Sequence, residues 1–138
     1  MSDRLSPQAA LIDVMVVVSA ADRRMSDDEL KTIGSLVQTL PVFRGFDIEQ
    51  LVPTAEACAT MLAGERGLDG VLQRVAQALP EPLRETAYAL AVEIAVVEGG
   101  RISQEVLRLL ELIRFALPVD HLVAAAIERA ARARYAHL

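Results

Sequence analysis

Two polar stretches carry acids at the points where an apolar run gives way to a helix start. The first is Ala21-Asp22-Arg23-Arg24-Met25-Ser26-Asp27-Asp28-Glu29. The second is Val97-Glu98-Gly99-Gly100-Arg101-Ile102-Ser103-Gln104-Glu105. Oxygen-only donor sets of this kind suit hard divalent cations, calcium or magnesium over zinc. The candidate metal ligands are Asp22, Asp28 and Glu29 in the first stretch and Glu98 and Glu105 in the second. A second reading needs no metal. Acids in the first turn of a helix are favoured by capping and by the helix dipole alone. Arg23 and Arg24 favour that reading, because guanidinium groups beside a carboxylate occupy it or repel a cation. Neither stretch is an EF-hand loop. Counting from Asp22, the third position is Arg24, the sixth is Asp27 where glycine is required, and the twelfth is Ile33.

Other chemistry has less to stand on. His121 and His137 lack a second nitrogen or sulfur ligand at zinc spacing. Cys58 sits among Ala55, Ala57, Ala59 and Met61, which predicts a buried structural thiol. No glycine-rich phosphate loop or nucleophile elbow occurs. Glu81 and Glu85 share a helix face and read as solvated. No enzymatic activity is expected. Net charge is −5, and the one basic cluster is Arg129, Arg132 and Arg134, so nucleic-acid binding is not expected. Tryptophan is absent and aromatics are 4%, which removes stacking platforms.

The elements that must position these residues all read as helices. Ser6-Pro7 is a helix start, with serine at the cap and proline at the first position. The helix runs to about Ala21, and only Asp13 and Ser19 interrupt its apolar residues, which marks it as buried. Ser26 caps a second helix, and Glu29 completes a capping box. Leu30, Ile33, Leu36, Val37 and Leu40 form its stripe, and Pro41 ends it. Asp47 is placed to cap a third helix, offset at Pro53 and ending at Gly64. Leu68 to Leu79 is a fourth, with Gly64, Gly67 and Gly70 as punctuation. Glu81 to about Val97 is a fifth, again nearly all apolar, so Val18 and Val97 are both expected to be inaccessible. Ser103 caps a sixth, which Pro118 ends, and Asp120 caps a seventh, ending near Tyr135. No segment alternates as a half-buried strand does.

The chain also repeats. Shifted by 77 residues, Ser26 falls on Ser103, Leu30 on Leu107, and Leu40-Pro41-Val42 on Leu117-Pro118-Val119. Five positions of that window are identical, where composition predicts roughly one. The expected architecture is therefore all-α: about seven helices in two triads related by an approximate two-fold, with the two apolar helices at the centre. A length of 138 residues fits one domain spanning the whole chain. Mean hydropathy is +0.33, yet the longest uncharged stretch, Thr32 to Phe43, is too short to span a membrane.

This pattern resembles the TerB-like, or tellurite-resistance, family. The carriers are Ala21-Asp22 with Met25-Ser26-Asp27-Asp28-Glu29, and Glu93-Ile94-Ala95 through Glu98-Gly99 with Ile102-Ser103-Gln104-Glu105. The resemblance covers roughly Ala9 to Leu117. It implies a seven-helix domain, a bacterial role in resistance to tellurite and other stresses, no enzymatic reaction, and a divalent-cation site at the acidic stretches. Thirteen arginines against one lysine agree with a GC-rich bacterial source. Two departures matter. The glycine expected after Asp22 is Arg23, and the second stretch has one more residue before its serine.

Two functions follow. One is a stress protein that senses calcium or magnesium weakly through the acidic stretches. The other is a metal-free module that recruits a protein partner or associates with itself, which the high apolar content favours. Met1-Ser2-Asp3-Arg4 leads into no secretory pattern, and a single cysteine suits a reducing compartment, so a cytoplasmic location is expected.

Overall fold

In the computed structural model, residues 5–21, 27–97 and 102–138 are described, without the side chains of Asp27 and Asp28. They form seven α-helices and no strand: α1 (Pro7–Ala21), α2 (Asp27–Thr39), α3 (Leu51–Ala63), α4 (Gly67–Ala78), α5 (Pro82–Val96), α6 (Gln104–Ala116) and α7 (His121–Arg134). Short 3-10 turns at Pro41–Phe43 and Ile48–Gln50 lead into α3. The all-α expectation is met. Among the described residues no helix is long and apolar enough to cross a membrane.

Local chemistry sets the helix starts. The Ala9 N–H donates to the Ser6 hydroxyl at 3.1 Å, ahead of Pro7. The Val106 N–H donates to Ser103 at 3.2 Å. Asp120 accepts from the N–H groups of Leu122 and Val123 at 3.0 and 3.2 Å. Each cap satisfies donors that the helix leaves unpaired, at a gain of about 1 kcal/mol. The matching cap at Ser26 lies outside the described residues. Asp47 caps the 3-10 turn before α3 and accepts from the Glu49 N–H at 3.0 Å.

The core is built around α1 and α5. Ten of the fifteen residues of α1, Ala10 through Ser19, are buried. They are covered on every side because α1 packs against α3, α4, α5 and α6. In turn α5 packs against α1, α6 and α7, burying Ala87, Tyr88 and Leu90 through Ile94. Each fully buried valine or leucine contributes roughly 1.5–3 kcal/mol, which makes this pair of helices the main source of apolar burial.

The structure differs from the expectation at four places. Val18 is 1% exposed, but Val97 is only half-buried, because α5 ends at Val96 and Val97 forms its C-cap. Leu30 does not join the α2 stripe. It is 50% exposed, and Glu29, one residue earlier, is buried in its place. Gly70 is not punctuation but lies buried inside α4. A Cβ there would meet the Arg66 Cβ at 2.7 Å, so this turn of the helix needs glycine. Gly67 has a φ of 53°, the left-handed region that favours glycine, and it opens α4 one residue earlier than expected.

Candidate functional site

Because α7 rests mainly on α5, a groove opens between α6 and α7 with α5 as its floor. Its volume is about 560 Å³. Tyr88, Val92 and Val96 of α5 form the floor, Leu107, Leu110 and Glu111 one wall, and Glu128 the other, with Arg108, Arg114 and Arg132 around the opening. A second hollow of about 510 Å³ continues it past Ile102 and Leu107 to Tyr135 and His137. Leu107 is 37% exposed and Phe115 is 70% exposed. Phe115 lies on α6 beyond the residues that line the groove, and the Arg114 guanidinium sits 4.8 Å from the centre of its ring.

Two polar anchors fix α7 to the floor. The Tyr88 hydroxyl donates to Glu128 Oε2 at 2.5 Å. Burial first, and then this hydrogen bond, push the Tyr88 phenol well above its usual range, so it stays protonated. Near the C-terminal end of α7, the buried Glu93 of α5 accepts from the Tyr135 hydroxyl. Glu93 also accepts from Arg134 Nη2 at 3.3 Å and pairs with its Nη1 at 3.3 Å. The hydrogen bond to Glu93, then burial, raises the Tyr135 phenol as well. These groups hold their protons and act as clamps. What the groove offers is apolar surface plus guanidinium donors, a combination that suits an apolar segment carrying carboxylates.

The candidate metal ligands fall differently. Asp22 and Glu98 lie outside the described residues, as does the side chain of Asp28. Glu29 is buried on α2 and engaged. Glu105 is exposed in the first turn of α6, beside the Ser103 cap. Among the described residues no group of three or more His, Cys, Asp or Glu side chains could hold a metal ion. His121 and His137 are both exposed. Cys58 is buried as expected, and its Sγ donates to the Asp13 main-chain carbonyl at 3.8 Å. Burial and the neighbouring Asp13 push its thiol up to about 12, so the nucleophilic thiolate does not form at neutral pH.

Sequence reasoning left two features unassigned. The interruption of α1 by Asp13 is a carboxylate buried at the contact with α3 and α4. Among the described residues its Oδ1 has no hydrogen-bond partner. Burial raises its pKa to about 6, and Arg74 opposes the shift. A lone acid in an apolar helix was the signal. The groove had no such signal, because it exists only through the angle between α6 and α7. No known protein family, curated protein or solved structure matches this chain.

Proposed function

We propose that this chain is a TerB-like helical domain of a bacterial stress response that works by docking a protein in the α5–α6–α7 groove. The groove carries the reading. It joins an apolar floor to an arginine rim and leaves Leu107 exposed along one wall. Solvated apolar side chains next to a concavity are the usual mark of a protein-binding surface. The helix contacts agree with the two-triad part of this reading. α3 packs on α1 as α7 packs on α5, and α6 touches α1 as α2 touches α5, the pairing that two related triads require. A cytoplasmic, non-enzymatic role belongs to the same reading.

Complementation tests it. A strain lacking this chain is expected to grow poorly on tellurite, and the wild-type chain restores growth. Leu107→Asp, folded but with a charge in the groove, fails to restore it. Full rescue by Leu107→Asp contradicts a groove-dependent role.

The exposure of Glu105 at the start of α6 favours a second reading, a weak response to calcium or magnesium through Asp22, Asp28, Glu29, Glu98 and Glu105. It predicts that millimolar calcium raises the melting temperature, and that Glu98→Gln with Glu105→Gln removes the rise. A melting temperature indifferent to calcium discards this reading.

A further inference from the structure

We infer that the occupant of the groove is a second copy of this chain, which inserts the ridge formed by the Ile48–Gln50 turn and α3, head to tail. The inference rests on the groove being a protein-binding site and names the partner. The ridge has the two properties the groove asks for. Its apolar side chains stand in solvent: Val52 is 62% exposed and Ile48 is exposed beside it. It is also acidic. From Gly45 to Glu65 the chain has four acids, Asp47, Glu49, Glu56 and Glu65, and no lysine or arginine. Asp47, Glu49 and Glu56 are all exposed.

The groove carries the opposite sign. Arg108, Arg114 and Arg132 stand around it against Glu111 and Glu128, a surplus of one positive charge, with Glu128 turned inward to the Tyr88 hydroxyl. In a chain of net charge −5, a locally cationic concavity facing a locally anionic ridge is a complementary pair. The lengths agree. The helices α3 (Leu51–Ala63) and α6 (Gln104–Ala116) both have 13 residues, about 20 Å at the helical rise. Val52 supplies the apolar anchor against Leu107 and the α5 floor, and Glu56 meets the arginine rim and sets the register.

The two surfaces belong to different helices. The ridge is carried by α3, which packs on α1 and α4, whereas the groove is built on α5. The contact joins two different patches. Each copy offers one groove and one ridge, so association closes into a dimer when both contacts form between two copies, and otherwise continues into a larger ring or an open chain.

Sedimentation velocity on the purified chain, over a concentration series, tests this. The wild type is expected to form species larger than a monomer, in growing share with concentration and in smaller share at high salt. Leu107→Asp and Val52→Asp each alter an exposed residue and are expected to melt as the wild type does. Each alone is a monomer. Mixed in equal amounts they form a 1:1 dimer and nothing larger, because one sound groove and one sound ridge remain. Arg108→Glu weakens association about tenfold or more, as expected for a rim charge with a partner, and adding Glu56→Arg to the same chain recovers it. A wild type that stays monomeric throughout overturns self-docking, and so does a mixture that stays monomeric. A dimer abolished by Leu107→Asp but untouched by Val52→Asp overturns it too. The groove itself is tested separately by cross-linking from Leu107 in cells. An adduct with a protein of another size would sustain the groove and overturn the second copy as its occupant.

Discussion

The Tyr135 hydroxyl donates to the buried carboxylate of Glu93, 42 residues earlier and on the helix beneath it. This contact closes the C-terminal end of α7 onto α5 and so sets one wall of the groove. Arg134 also reaches Glu93, but its own side chain is 65% exposed. The hydroxyl is therefore the stronger clamp. Tyr135→Phe is expected to cost about 2 kcal/mol, because a buried acceptor loses a donor. Arg134→Ala is expected to cost about 1 kcal/mol or less, as solvent screens the pair. Urea unfolding of the two variants checks the order, and a larger loss for Arg134→Ala contradicts it.

Asp13 makes the stability of the fold depend on pH. Its pKa is raised from 3.8 to about 6 in the folded chain, chiefly by burial. The native state therefore holds the proton more tightly than the unfolded chain does. Its contribution is fully present below pH 3.8 and is lost as pH rises through about 6. The change amounts to up to about 3 kcal/mol across that window. Asp13→Asn removes the titration. The stability of the variant relative to wild type should rise by about that amount between pH 4 and pH 8 in denaturant melts. A difference that stays constant over this range would show that Asp13 does not titrate in the folded chain.

The centre of α1 tolerates no charge. Val18 is almost fully buried, and Val18→Asp should abolish cooperative unfolding, since an unpaired carboxylate there has neither water nor a cation. Val97→Asp should leave a folded protein with a lower melting temperature, because Val97 is only half-buried at the end of α5. Circular dichroism melts of both variants check the contrast, and equal behaviour contradicts it.

The difference between these two valines shows how much the sequence reveals. Helix number and most helix ends were legible, because Ser6-Pro7, Ser103, Asp120, Pro41 and Pro118 act through the backbone next to them. The central position of α1 and α5 is legible from their nearly all-apolar runs, which only Asp13 and Ser19 break in α1. Val97 departs from the pattern because an apolar run does not show where the last helical hydrogen bond falls. Leu30 departs from it because periodicity fixes a stripe only to within one residue, and Glu29 holds the inward position. The groove was not legible at all. It depends on how far α6 stands from α7, a tertiary distance set by the clamps at Glu93 and Glu128. The acidic stretches were the most conspicuous feature of the sequence, yet four of their five candidate ligands are either outside the described side chains or, for Glu29, buried.

The claim that the groove is a protein-docking surface is tested most directly by a photo-reactive benzophenone side chain placed at Leu107 in the full chain, in cells. The control carries the same group at Gln77, exposed near the end of α4. Illumination should give a discrete protein adduct from Leu107 and none from Gln77. With a second copy as the occupant, that adduct has twice the 15.0 kDa mass of the chain. No adduct from Leu107, or the same adducts from both positions, would contradict a docking role for the groove.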